Sequence, residues 1–120
     1  MPRGQQELAG AVHQAIYDLL VDVARTRGAI TYAELAPLAA IDLDDPGDRA
    51  ALAAILDEIN VREHNGGRPM LSATVVLAGS NRPGQGFFAC AERLGEHIGA
   101  DRLAYWQRER ERLYTYWAST

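Results

Sequence analysis

Apolar residues at Leu8, Val12, Ala15, Ile16, Leu19, Leu20 and Val23 recur at spacings of three and four. This spacing predicts an amphipathic helix from about Gln5 to Arg27, with Gly28 placed to end it. Thr31 and Glu34 then form a Thr-x-x-Glu capping box flanked by Ile30 and Leu35, which predicts a short helix from Tyr32 to about Ala39 that Pro37 bends or ends. Asp45 reads as an N-cap with Pro46 at the first helical position. The third helix runs to about Arg62, burying Leu52, Ile55, Leu56 and Ile59, before Asn65-Gly66-Gly67 breaks it.

From Met70 to Ala78 the pattern switches to alternation. Leu71, Ala73, Val75 and Leu77 would line one face of a strand, and Ser72, Thr74 and Val76 the other. Gly79 to Gly86 is a loop rich in turn residues. Phe87 to Leu94 begins extended and then turns helical, and Asp101 caps a last helix through about Trp117 with Leu103, Trp106, Leu113 and Trp117 on one stripe.

Three helices followed by a strand and a loop outline a winged helix. Ala29-Ile30 would pair with the strand at 70–78, and Gly86-Phe87-Phe88 would supply the returning wing strand. The expected architecture is therefore a helix-rich α/β, winged-helix-like domain with a long N-terminal helix and a C-terminal aromatic-rich helix. It is read as a single domain over 1–120, with its winged-helix-like core over about 8–90 and the C-terminal helix over about 101–117.

Composition narrows the function classes. A chain of 120 residues buries roughly two thirds of its unfolded surface, enough for a core without staples. Cys90 is the single cysteine, so no internal disulfide forms, and Met1-Pro2-Arg3-Gly4 leading into Gln5, Gln6 and Glu7 does not read as a signal peptide. No apolar run is long enough to span a bilayer. The expected setting is a reducing cytoplasm, with no membrane partner. Sixteen acidic residues against twelve basic ones leave a net charge of −4, which disfavours nucleic-acid binding by charge alone while leaving a local patch open. Every basic residue is Arg.

The segment Ala29-Ile30-Thr31-Tyr32-Ala33-Glu34-Leu35-Ala36 resembles the Ser/Thr-Tyr-Gly-Glu-Leu-Ala stretch that opens the helix-turn-helix of O6-alkylguanine-DNA alkyltransferases and alkyltransferase-like proteins. The resemblance covers about half the chain and implies a DNA-binding winged-helix part. That family carries its nucleophile in a Pro-Cys-His-Arg motif just after the recognition helix. The corresponding region here is Arg68-Pro69-Met70-Leu71-Ser72, so transfer of an alkyl group to cysteine is not implied. The downstream pattern, Gly67 to Ser72 with Pro83-Gly84-Gln85-Gly86-Phe87-Phe88, looks like one found in small bacterial proteins and implies no activity.

Candidate chemistry is sparse. Cys90 shares an apolar helical face with Phe87, Ala91 and Leu94, the setting of an inert buried thiol. His13, His64 and His97 lack metal-ligand spacing, and Ser72 and Ser80 lie in no nucleophile elbow. Gly84-x-Gly86-x-x-Ala89 matches a relaxed dinucleotide fingerprint, but a loop separates it from the strand and no second βαβ unit follows. No catalytic set, metal or cofactor is expected.

Two readings remain. In the first, a non-enzymatic module binds DNA or RNA. Arg82 and Gln85 would sit on an exposed loop tip, while Arg62, His64 and Arg68 form a positive rim or pair with Glu58 and Glu63. The outward positions of the third helix include Asp48, Asp57 and Glu58, which repel phosphate, so that helix is a poor major-groove reader. In the second, Tyr105, Tyr116 and Trp117 make a protein-interaction or homodimer surface on the C-terminal helix. The run Arg108-Glu109-Arg110-Glu111-Arg112 most simply marks a solvated face.

Overall fold

A computed structural model describes the backbone of residues 3–120 and the side chains of residues 10–120; Met1, Pro2 and the Leu8 side chain lie outside that description. Helix α1 (Arg3–Arg25) is followed by strand β1 (Ile30–Thr31) and helix α2 (Tyr32–Leu35), which continues as a 3-10 turn over Ala36–Ala39. Helix α3 (Pro46–Asn65), a second 3-10 turn (Leu71–Thr74), strand β2 (Val75–Val76), helix α4 (Gln85–Arg93) and helix α5 (Arg102–Ala118) complete the order. The molecule is thus a helix-rich α/β domain with a long N-terminal helix and a two-stranded sheet.

Local signals act as expected at three helix starts. Glu34 N–H donates to Thr31 Oγ1 at 3.1 Å and Thr31 N–H to Glu34 Oε1 at 3.1 Å, so the capping box closes in both directions. Gly47 N–H donates to Asp45 Oδ1, with Pro46 opening α3, and Ala104 N–H donates to Asp101 Oδ1 at the start of α5. Pro37 turns the second helix into its tighter 3-10 form.

Helix ends depart from the glycine reading at one place. Gly28 N–H does close on Val23 O, but the left-handed residue is Arg27, at φ 55°, rather than the glycine. Arg27 is held there by α5, through an ion pair to Glu111 at 2.6 Å and by stacking over the Tyr114 ring. Ala40 takes the same conformation at the end of the 3-10 turn, whereas Gly67 and Gly95 serve it after α3 and α4.

The long strand expected at 70–78 is reduced to Val75–Val76, paired in parallel with Ile30–Thr31. Alternation predicts two distinguishable faces, yet Met70 to Val76 is buried throughout because it threads between α1, α3 and α5. Its ladder partner is only two residues long, since the chain turns into α2 at Tyr32. Side chains therefore replace the missing strand: Met70 N–H donates to Glu109, Ser72 N–H to Asn60 Oδ1, and Ala73 O accepts from Trp106 Nε1 at 2.9 Å. The expected returning strand at Gly86-Phe87-Phe88 is instead the first turn of α4. Its Phe87, Phe88 and Ala91 join Ile16, Leu20, Leu56, Ile59 and Leu113 in the core. Ala15, placed on the apolar stripe of α1, is exposed; the buried face turns toward Val21 and Ala24. The likeness to a winged helix holds at the coarse level of a small helical domain with a short two-strand sheet.

Candidate nucleic-acid interface

The end of α3 buries a carboxylate. Glu63 has no exposed surface and continues the inward row Leu56–Ile59–Asn60 by one more turn. Arg68 reaches back to it from the loop, with Nε at 2.7 Å and Nη2 at 3.2 Å, and Tyr17 Oη donates from α1 at 2.9 Å. Bidentate pairing and a third donor compensate a charge that could not otherwise be buried. Burial, followed by the bond to Glu63, raises the Tyr17 phenol above its ordinary range. The same carboxylate raises the Arg68 guanidinium. A Cβ at Gly66 would lie 2.5 Å from the Arg68 guanidinium, so a side chain there would displace Arg68 from this position.

Around this node lie Arg62 and Arg68 of the first predicted set and Tyr116 and Trp117 of the second. Arg62 is exposed and lies over the Tyr17 ring, 4.4 Å from its centroid. Tyr116 stands close enough to Arg68 to bear on its charge, and packs edge-on against Trp117 with centroids 5.1 Å apart. Arg25 covers the Trp117 ring. An open groove of about 580 Å³ runs between the loop at Gly67 and Pro69 and the outer side of α5, where Arg108, Arg112 and Tyr116 line it. A second cavity, of about 340 Å³, lies between Tyr17 and Trp117. Arginines and aromatic rings from α1, α3 and α5 thus share one surface. Acidic groups are interspersed: Glu111 lines the groove, and Asp18 and Asp22 line the second cavity.

The other predicted residues lie elsewhere. Arg82 is exposed on the 77–84 loop, whose shape is fixed by Leu77 N–H donating to Arg82 O at 2.8 Å. Gln85 accepts from Arg102 Nη1. Gly86 beside it lines a cavity with Ala53 and Asp57, so this loop end flanks the middle of α3. Arg62 is about 14 Å of helix rise beyond Ala53. Tyr105, placed off the core stripe as an interaction residue, is buried against Phe87, and its hydroxyl has no hydrogen-bond partner. Burial and the neighbouring Glu109 push its phenol far above the ordinary range. Asp57 does not face outward freely: it pairs with Arg93 of α4 at 2.8 Å. His64 leans toward Glu96, with Nδ1 at 3.8 Å from Oε1.

Sequence patterning named Glu63 as a partner for this arginine set but not its burial, and missed Glu109, because charged residues amid helical charge runs read as solvated. It also missed the contact of Asn60 Nδ2 with Ser72 Oγ at 2.7 Å and with Cys90 Sγ at 3.7 Å. Cys90 is buried as expected, and burial raises its thiol above the ordinary range. Among the described residues no group of three or more His, Cys, Asp or Glu could hold a metal ion, and no helix is long and apolar enough to cross a membrane. Comparison with protein-family models, with curated proteins and with solved structures gives no match.

Proposed function

We propose that the chain is a nucleic-acid-binding module whose contact face is the arginine and aromatic surface of α1, α3 and α5. The observation that carries this reading is the groove lined by Arg108, Arg112 and Tyr116, with Trp117 packed against Tyr116 and the loop beside it held by Arg68, while Arg62 lies over Tyr17 at the end of α3. Guanidinium groups supply phosphate contacts and planar surfaces on which bases stack. The face is patchy rather than uniformly basic, because Glu63 and Glu109 already hold Arg68 and Arg112. Arg62 and Arg108 form no ion pair among the described residues and carry the ionic contact; Arg68, bound to Glu63, anchors the loop whose Gly67 and Pro69 line the groove. Arg82 and Gln85, on their separate loop, are not needed by this face.

The rival reading, an interaction or homodimer surface built on Tyr105, Tyr116 and Trp117, has less support. Tyr105 is buried, and the other two are only partly exposed.

Fluorescence anisotropy with single-stranded DNA, RNA and duplex DNA, at low and at physiological salt, tests the proposal. The expected result is binding that weakens steeply with salt, and a log–log slope reduced by about 0.7 per lost contact in Arg62→Ala or Arg108→Ala for single strands. Absence of binding at low salt, or affinity unchanged in the double variant, overturns it.

A further inference from the structure

Between the loop that leads into α3, the first turns of α3 and the loop that follows β2 lies a chamber of about 310 Å³. Leu43, Leu52 and Leu77 wall it, together with Tyr32. Leu52 is buried and Leu77 is 45% exposed, so the apolar lining runs from the core out to solvent. The Tyr32 hydroxyl is engaged by the Gly84 backbone. A mostly apolar cleft with a few placed polar groups is the common form of a small-molecule site, and this one is at the small end of the range.

Arg49 is the one charged side chain on the chamber wall among the described residues. It is exposed, and its side chain makes one hydrogen bond there, from Nη1 to Leu43 O at 2.8 Å. That bond ties the guanidinium to the loop that carries Leu43. The rest of the donor fork has no protein acceptor among the described residues. The acids of the same loop are turned to backbone groups instead: Asp42 accepts from Asp44 N–H, Asp45 from Gly47 N–H, and Asp48 from Asp42 N–H. None of them pairs with Arg49 among the described residues. An apolar chamber beside an unpaired planar cation calls for an amphipathic anion. A neutral ligand would leave the fork without its acceptor, and a cation would be repelled by it.

We propose that this chamber binds a small monocarboxylate with a short alkyl body. The carboxylate accepts from the Arg49 guanidinium, and the alkyl body lies between Leu43, Leu52 and Leu77. The site shares no residue with the arginine and aromatic groove and does not depend on nucleic-acid binding.

Hexanoate, titrated while two-dimensional amide NMR spectra are recorded, serves as the probe. 1-Hexanol carries the same chain without the charge, and acetate carries the head without the chain. The expected result is saturable shifts at Leu43, Leu77 and Gly86 with millimolar hexanoate, binding of 1-hexanol weaker by about tenfold, and no shift at these residues with acetate. Arg49→Gln, which keeps a donor for Leu43 O, should lower hexanoate affinity to that of 1-hexanol and leave 1-hexanol binding unchanged. Leu77→Ser should weaken both. No saturable shift with hexanoate, 1-hexanol bound by the native chain as tightly as hexanoate, or undiminished hexanoate affinity in Arg49→Gln overturns the proposal.

Discussion

Arg68→Ala tests whether the Glu63 pair organises the end of α3. The substitution removes two charge-assisted hydrogen bonds, at 2.7 and 3.2 Å, from a carboxylate with no exposed surface. Only the Tyr17 hydroxyl remains to it. Breaking a buried pair from one side costs about 3–5 kcal/mol, because the surviving charge is left uncompensated. The Arg68 side chain retains 26% of its exposure, so water reaches part of the site and the lower end, about 3 kcal/mol, applies. For a chain of this length about 1 kcal/mol corresponds to about 4 °C in melting temperature, so the expected drop is about 12 °C. Urea unfolding followed by tryptophan fluorescence gives the free energy directly. The decisive comparison adds Glu63→Gln: with no charge to strand, the double variant should recover about 1–2 kcal/mol relative to Arg68→Ala alone. A loss below about 1 kcal/mol, or a double variant less stable than Arg68→Ala, would show that the carboxylate is adequately solvated without Arg68 and refute the reasoning.

Gly67→Ala and Ala40→Gly should shift stability in opposite directions by about 1 kcal/mol each, since both positions have left-handed backbone with φ of 74° and 53°; thermal melts read both, and a matching sign would contradict the helix-end account. Trp106→Phe leaves the buried Ala73 carbonyl without its donor and should cost about 1–3 kcal/mol in urea unfolding at an unchanged m value. Burial raises the acid groups Cys90, Tyr17, Tyr32, Tyr105 and Tyr114 together. The unfolded chain therefore loses these protons first, so the stability they contribute is intact below about pH 9 and declines as pH rises beyond it; a urea midpoint flat from pH 9 to pH 11 would contradict this.

What could be read from the sequence was local. Thr31 with Glu34, Asp45 with Pro46, and Asp101 act on backbone groups within a few residues, so their helix starts were legible without knowledge of the fold. The buried segment at Met70–Val76 was not. A stretch enclosed on all sides carries no period, and its hydrogen-bond partners Asn60, Trp106 and Glu109 come from other helices. Glu63 illustrates the same limit for the candidate site: its partner Tyr17 is 46 residues away, and nothing near Glu63 distinguishes it from the solvated Glu58. Arg62 and Arg68 were recognisable as a rim, and Tyr116 and Trp117 as an aromatic pair. Their meeting on one surface required the packing of α5 against α1. Arg27 shows how a distant contact can override a local rule, because Glu111 and Tyr114 hold in place a conformation that glycine would adopt more readily.

The bond from Tyr114 Oη to Gly28 O, 2.5 Å long, links residues 86 positions apart. During synthesis, α1 and β1 leave the ribosome well before α5 exists. Until it arrives, the inner face of α1 has no permanent cover on that side, and the Arg27 turn has nothing to hold it. Folding of the nascent chain is thus gated by emergence of its last described helix, and ribosome-bound intermediates stalled before Arg102 would present the Ile16–Leu20–Ala24 row to any chaperone waiting at the exit.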